Sequence, residues 1–192
     1  MERESVGSED FGQTHAMMQV DFSENYTCIF QDEILSAHWK QDKVSLFTAA
    51  IWFDRKLHSK VIALDNLDHG KDTVVAYVDY LLYTLPATVK TFSVWSDGPS
   101  SQFKNKFITA VIKALEDKHQ INIKWTYFAT SHGKGPVDGI VGSVKRQVWT
   151  AASRRTSLVT DATSFTATAK KVCNVDVVEM TSDEIQSHLE VR

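Results

Sequence analysis

Residues 91–115 read TFSVWSDGPSSQFKNKFITAVIKAL, and this stretch decides the fold of the chain. Its first five residues are typical of a buried strand, and the Ser-Asp-Gly-Pro that follows is a turn signal. Apolar residues then recur at helical spacing from Phe103 to Leu115, which predicts an amphipathic helix. A strand that leads directly into a helix favours a crossover to a parallel strand, so the stretch indicates an α/β sheet.

The same strand-to-helix pattern recurs immediately downstream. Residues 121–129 (INIKWTYFA) predict a fifth strand, and the glycine-rich SHGKGP follows as a loop. Pro136 suits the first position of a third helix, because proline has no N–H to leave unsatisfied there. Valines and isoleucine recur at helical spacing from Val137 to Val148, so this helix is also amphipathic.

Upstream of Thr91 the pattern differs, because three predicted strands stand in a row before the first helix. We expect strands at 18–26, 44–53 and 60–64, a hairpin link at 53–59, and a helix that Asp72 or Thr73 caps and Pro86 stops. The order β-β-β-α-β-α-β-α predicts a mixed five-stranded sheet with helices on both faces, its first three strands antiparallel and its later ones parallel. This is the ribonuclease-H-like order, whereas a flavodoxin-like fold would alternate from the start.

The chain divides into three predicted regions. Residues 1–14 are expected to be a disordered acidic tail, 15–150 the ribonuclease-H-like core, and 151–192 a C-terminal extension of helices and a strand. In the extension we predict a helix at 161–173, a strand at 175–180 and a capping box at Thr181 that opens a last helix.

Composition excludes several classes of protein. The hydrophobic fraction of 43% and the charged fraction of 23% are ordinary for a soluble globular chain, and no apolar run is long enough to span a bilayer. Cys28 and Cys173 form neither a disulfide framework nor a zinc pattern. The net charge is −3, but residues 98–155 carry +7. That basic block is explained either by solvated helix faces or by a surface that binds a polyanion.

Three aspartates lie at informative positions in this order of elements. Asp21 lies inside the first strand, Asp97 ends the fourth, and Asp138 lies in the first turn of the helix after the fifth. Strands one and four are neighbours in the predicted sheet, so we expect the three carboxylates to converge. Clustered carboxylates raise one another's pKa values, and a divalent cation relieves that repulsion. We therefore predict two Mg²⁺ or Mn²⁺ ions at these three residues, suited to phosphoryl transfer.

Each aspartate also has a purely structural explanation. Asp97 alone fits a turn residue or a helix N-cap, and Asp138 alone fits the favourable dipole at a helix start. Asp21 is the hardest to explain in this way, because a carboxylate flanked by apolar residues in a central strand is costly unless it is paired or metal-bound.

The glycine-rich loop before Asp138 offers further candidates. We expect His132 and Lys134 to contact phosphate or orient a water, whereas Gly139 and Gly142 are better explained by close helix packing. The spacing is not that of a P-loop. The five tryptophans are expected to lie mostly in the core. Further contacts with DNA, or alternatively solvated helix faces, are expected at Gln102, Lys104, Lys106, Lys145 and Arg146.

Four segments resemble a group of eukaryotic transposon-derived proteins: VDFSENYTC (20–28), QDEILSAHW (31–39), WSDGPSSQFKNK (95–106) and FATSHGKGPVDGIVGSVKR (128–146). Those proteins are similar to DDE/D cut-and-paste transposases with an integrase-type, ribonuclease-H-like core. The resemblance implies metal-dependent cleavage and transfer of DNA strands in the nucleus, with Asp21, Asp97 and Asp138 at the matching acid positions. The third acid is Asp rather than the Glu of many such enzymes, which keeps an oxygen ligand.

The resemblance leaves three functions open. The first is a transposase-derived nuclease or strand-transfer domain that binds DNA, allows homo-oligomers and has no membrane segment. Such transposases usually carry a separate DNA-binding domain before the core, so we expect this chain to be a fragment or a domesticated remnant. The second is a catalytically silent module that binds DNA or protein, and the third is a stand-alone ribonuclease H or exonuclease.

Overall fold

The computed structural model describes residues 13–28, 42–65, 71–96, 106–128 and 135–189. The strands are β1 His15–Thr27, β2 Lys43–Phe53, β3 Lys56–Leu64, β4 Thr91–Ser96, β5 Asn122–Tyr127 and β6 Asp176–Glu179. The helices are α1 Lys71–Tyr83, α2 Lys106–His119, α3 Pro136–Ser153, α4 Ala162–Val172 and α5 Ser182–Leu189. None of the helices in these ranges is both long and apolar enough to cross a membrane.

The strands form one mixed sheet in the order β5-β4-β1-β2-β3-β6. β1, β2 and β3 pair as an antiparallel meander, while β4 runs parallel to β1 and β5 runs parallel to β4. These pairings confirm the predicted ribonuclease-H-like order. The strand predicted at 175–180 is β6, and it pairs in parallel with β3 at the edge of the sheet, so the sheet has six strands rather than the predicted five.

The hairpin between β2 and β3 is tighter than predicted. Asp54 and Arg55 form a two-residue turn with φ values of 48° and 58°, and Phe53 pairs directly with Lys56. Positive φ at both central residues is the signature of a type I′ turn, which matches the twist of the flanking strands. The prediction of a link over 53–59 is therefore wrong, and β3 begins four residues earlier than expected.

Two hydrophobic layers cover the two faces of the sheet. On the first face α1 packs against the side chains of Val20, Phe47 and Phe92. On the second face α3 and α4 pack against Leu46 and Val61. Neighbouring residues of β2 therefore serve opposite layers, as the alternation of side chains along a strand requires. The prediction of helices on both faces is confirmed.

The two C-terminal helices both begin at side-chain caps, of which the one at Thr181 was predicted. Asp161 caps α4, because its carboxylate accepts a hydrogen bond from the backbone N–H of Ser164 at 2.7 Å. Glu184 accepts one from the backbone N–H of Thr181 at 2.7 Å, and Thr181 Oγ1 accepts one in return at 3.3 Å. This reciprocal pair confirms the capping box that opens α5.

The glycines of α3 do not pack closely against the sheet. The apolar stripe of this helix is formed by four buried valines, Val137, Val141, Val144 and Val148. A Cβ atom added to Gly139 or Gly142 would meet no heavy atom of a neighbouring element within 4 Å among the described residues. The expectation of close packing at these two glycines is wrong, because the valine stripe makes the contact and leaves both on other faces of the helix.

Gly142→Ala is expected to raise the free energy of unfolding by about 0.5–1 kcal/mol, because alanine loses less backbone entropy in a helix interior and meets open space here. Urea unfolding followed by circular dichroism measures the change. Gly135→Ala is the matched control and should lower stability, because alanine is a poor N-cap residue and its Cβ would displace the buried Gln19 side chain. A destabilised Gly142→Ala variant would contradict the open environment of this position.

Candidate active site

Asp21 lies on the central strand of the sheet, on the face that α3 covers. β1 has β4 on one side and β2 on the other, and Asp21 pairs opposite Thr48 of β2. Its neighbour Val20 is 1% exposed and belongs to the hydrophobic layer of the first face. Side chains alternate along a strand, so the half-buried Asp21 belongs to the second face. A carboxylate in this position needs compensation for its partial desolvation.

The N-terminus of α3 packs against β1 close to Asp21. Gly135 is the N-cap of the helix, and its backbone lies so close to the buried Gln19 side chain that a Cβ atom would overlap it. Gln19 precedes Asp21 by two residues and shares its face. The sheet and the helix therefore bring Asp21 and the first turn of α3 to the same region.

Asp138 lies in that first turn and is exposed. Its Oδ2 accepts a hydrogen bond from the backbone N–H of Gly135 at 3.3 Å, and its own N–H donates to the Gly135 carbonyl at 3.2 Å. This geometry confirms that the predicted helix begins at Pro136, and it gives Asp138 a capping role. One carboxylate oxygen is engaged by the cap, and the group remains accessible to solvent.

Asp97, the remaining predicted acid, lies outside the described residues. The described part of β4 ends at Ser96, which pairs with Val20, the residue immediately before Asp21. Ser96 is fully buried, and its Oγ accepts a hydrogen bond from Trp125 Nε1 at 3.0 Å. The described part of β4 therefore ends beside β1, one residue before the level of Asp21.

The donors in this region suit a hard divalent cation. Asp21 and Asp138 supply carboxylates, and the Thr48 hydroxyl opposite Asp21 is buried with no hydrogen-bond partner among the described residues. Mg²⁺ and Mn²⁺ prefer such oxygen ligands. In the described part of the chain, no three His, Cys, Asp or Glu residues gather into a metal-binding group. Asp21 and Asp138 are carboxylates near the first turn of α3, and Asp97 lies in an undescribed segment, so metal binding by the three acids stays a prediction.

The residues predicted to contact DNA or phosphate also lie partly inside and partly outside the described part of the structure. Lys145 is half-buried and Arg146 is exposed, both on α3 beyond its first two turns. Lys106 begins α2, but its side chain lies outside the described part of the structure. Four further residues lie wholly outside it: Gln102, Lys104, His132 and Lys134.

An aromatic pair flanks the site on the same face of the sheet. Trp95 pairs with Gln19 in the β1–β4 ladder, and its ring centroid lies 5.4 Å from that of Phe128 at an interplanar angle of 32°. Both rings are half-buried. The expectation that the tryptophans are mostly core is wrong for Trp149, which is 52% exposed. Trp125 packs against the hydrophobic layer of the first face, and Trp52 and Trp95 are half-buried.

A second cluster of charged side chains, which the sequence did not reveal, lies between three helices. Asp79 of α1 is fully buried and accepts hydrogen bonds from Lys118 Nζ at 2.8 Å, His119 Nε2 at 2.7 Å and His188 Nδ1 of α5. Burial raises the pKa of the Asp79 carboxyl, but hydrogen bonds from His119, Lys118 and His188 outweigh burial and hold that pKa well below its usual range. The cluster fastens α2 and α5 to α1 and is separate from the Asp21 region.

The order and directions of the strands place the chain in the ribonuclease-H-like fold class. It is similar to a chain of the simian T-cell lymphotropic virus intasome in complex with PP2A regulatory subunit B56 gamma, with a TM-score of 0.58 and 10% sequence identity. The match covers 94% of this chain and 56% of that one, so this chain spans little more than half the length of the intasome chain.

The chain belongs to the family described as "Domain of unknown function (DUF8701)", whose model matches residues 7–191. No curated protein matches its sequence. Two further solved structures are similar at lower scores. The catalytic core domain of BIV integrase has a TM-score of 0.43 and 12% identity, covering 80% of both chains. The human cytomegalovirus terminase nuclease domain, Mn soaked and inhibitor bound, has a TM-score of 0.36 and 10% identity, covering 96% of this chain and 76% of that one.

Proposed function

We propose that the chain is a transposase-derived catalytic domain that cuts or transfers DNA strands in the nucleus, with Asp21, Asp97 and Asp138 as metal ligands. The observation that carries the proposal is the packing of the α3 N-terminus against β1 at Gln19, which brings the first turn of α3 to the face of Asp21. The mixed sheet supports it, because β4 leads to the same place. The likeness of four segments to eukaryotic DDE/D transposases is consistent with this arrangement.

The residues of the chain would divide the chemistry between them. When bound, two Mg²⁺ or Mn²⁺ ions would supply an activated water or 3′-hydroxyl and would stabilise the leaving oxygen. Asp21 pairs with Thr48 of β2 and directly follows Val20, the last residue of β1 that pairs with β4 in the described structure, so its backbone is held by the sheet and it would offer a rigid ligand. Asp138 is oriented by its hydrogen bond from Gly135. Arg146, exposed on the same helix, would contact the phosphate backbone of DNA.

A catalytically silent DNA- or protein-binding module is the second candidate. It is favoured by the capping role of Asp138, since the hydrogen bond from Gly135 explains this carboxylate without a metal. The basic block at residues 98–155 suits DNA binding in either case. The two candidates differ in whether the acids bind metal and cut DNA.

Mn²⁺ is expected to raise the melting temperature of the chain by several degrees and to support cleavage of nicked or branched DNA. Ligand at about 100 times its dissociation constant stabilises the folded state by about 2.7 kcal/mol, which is several degrees for a chain of this size. Differential scanning fluorimetry with Mn²⁺, Mg²⁺ and EDTA measures the first effect, and gel assays on DNA and on RNA–DNA hybrid measure the second. A preference for the hybrid would indicate a ribonuclease H. An unchanged melting temperature and no cutting would favour the silent module.

A further inference from the structure

A short surface segment between α3 and α4 carries a sequence that the proposed catalytic site does not use. Residues 154–158 read Arg-Arg-Thr-Ser-Leu and belong to neither a helix nor a strand. Arg154 and Arg155 are exposed, Ser157 is half-buried, and Leu158 is 70% exposed. The side chains of both arginines and of the leucine are therefore accessible to solvent.

The chain is anchored to the protein on both sides of Ser157 and Leu158. The backbone N–H and the hydroxyl of Thr156 both donate to the Ala151 carbonyl, at 3.0 and 2.9 Å, at the end of α3. Val159 is fully buried in the layer beneath α4. Between these anchors lie Ser157 and Leu158. For the whole segment to extend away from the surface, the backbone hydrogen bonds that Arg154, Arg155 and Thr156 donate to the end of α3 must break, which is a local opening at a helix terminus.

The pattern of side chains matches the chemistry by which basic-directed serine/threonine kinases choose a hydroxyl. Arginines three and two residues before the acceptor bind acidic subsites, and an apolar residue immediately after it fills a hydrophobic one. Each feature has an ordinary explanation by itself, since single exposed leucines and arginines are common on surfaces. Their combination around Ser157, in an irregular and exposed segment, is specific. We propose that Ser157 is a phosphorylation site for a kinase of this class.

The reaction is an ordinary phosphoryl transfer from ATP. Ser157 Oγ attacks the γ-phosphorus, the bond from that phosphorus to the ADP oxygen breaks, and the hydroxyl proton passes to the kinase's catalytic base. Thr156 is the competing acceptor of the phosphate, and it is disfavoured for two reasons. Its hydroxyl donates a hydrogen bond to the Ala151 carbonyl, and the two arginines lie one and two residues before it rather than two and three.

A phosphate at Ser157 would change the charge of the adjoining surface. It adds nearly two negative charges beside Arg154 and Arg155, at the end of the helix that carries Arg146. If α3 binds DNA, which rests on the proposed function, the modified chain should bind it more weakly.

The labelling test uses the full chain, MgATP and the catalytic subunit of cAMP-dependent protein kinase as the probe, with sites located by mass spectrometry. We expect about one phosphate per chain at Ser157. Ser157→Ala should abolish labelling, and Thr156→Ala, the matched control, should be labelled at least as fast as the wild type. The double variant Arg154→Ala/Arg155→Ala should be labelled at least roughly tenfold more slowly. No label at Ser157 in the folded chain, under conditions that label a peptide of residues 150–162, would overturn the proposal.

The regulatory effect is measured separately by fluorescence anisotropy with duplex DNA at low salt. Phosphorylated wild type is expected to bind roughly tenfold more weakly than kinase-treated Ser157→Ala, with a smaller dependence on salt. Equal affinities would overturn the regulatory effect. A chain that binds no DNA in either form would overturn this effect and the proposed function together, and would leave the labelling result intact.

Discussion

Asp21→Asn is expected to lower the rate of Mn²⁺-dependent DNA cleavage by at least ~10³-fold while the chain stays folded, because a neutral amide is a poor ligand for a hard cation. Asp21 lies half-buried on the central strand, opposite Thr48, whose buried hydroxyl has no hydrogen-bond partner within the described ranges. Replacing its charge should not disturb the pairing of β1 with β2, because asparagine has the same shape and the same backbone groups. The loss should therefore appear in the cleavage rate and in metal binding, with the urea midpoint nearly unchanged.

Asp54→Asn is the matched control for this experiment. It removes the same charge from an exposed turn that is not part of the candidate metal site. Asparagine tolerates the positive φ of this position. Cleavage by Asp54→Asn should equal that of the wild type. If Asp21→Asn cuts DNA as fast as Asp54→Asn does, Asp21 is not a metal ligand and the transposase-type mechanism fails.

The sheet was predictable because its sequence signals are local and consistent. The uninterrupted apolar run of β2 indicates burial on both faces, and it occupies the centre of the meander. Pro136 marks the start of α3 by a property of its own ring. The type I′ turn at Asp54 escaped prediction because neither of its residues is the glycine or asparagine that usually signals one. The place of β6 beside β3 depends on a partner more than 100 residues away.

The candidate site was predictable only in part, and the reason is distance along the chain. Asp21 is conspicuous by itself, because apolar neighbours flank an acid in a strand. The contact that brings α3 to the face of Asp21 joins Gly135 to Gln19. No local sequence pattern predicts it, because a glycine in a loop has many possible explanations. Gly139 and Gly142 belong to the same glycine-rich stretch of sequence, but neither makes such a contact with a described residue. Which glycine lies against the sheet is decided by the rotation of α3, and the valine stripe sets that rotation.

Asp79 shows a signal that was present in the sequence. It stands within VVAYVDYLL, where an acid on an otherwise apolar helix requires a partner. Its partners lie 39, 40 and 109 residues away along the chain. The sequence therefore indicates that Asp79 needs a partner but does not indicate which residues provide it. His188 also shows how the C-terminal α5 is tied to α1 by polar as well as apolar contacts.

Asp79→Asn is expected to lower the free energy of unfolding by about 3 kcal/mol, because removing one member of a buried ion network leaves its partners without compensation. Lys118, His119 and His188 all present N–H donors to the Asp79 carboxylate. An asparagine amide offers one acceptor oxygen and turns its own N–H₂ donors towards the rest, so at least one buried donor loses its partner.

The dependence of this loss on pH separates the ion network from mere packing. The folded-state pKa of Asp79 is lowered, so its carboxylate stabilises the fold above the unfolded pKa of about 4, and that contribution disappears as the pH falls further. In urea titrations, the gap between wild type and Asp79→Asn should be full near pH 7 and should shrink below about pH 4. Asp117→Asn, which breaks the exposed pair with Lys113, is the matched control and should leave the midpoint unchanged. A gap that stays constant down to acidic pH would mean that Asp79 acts by shape and not by charge.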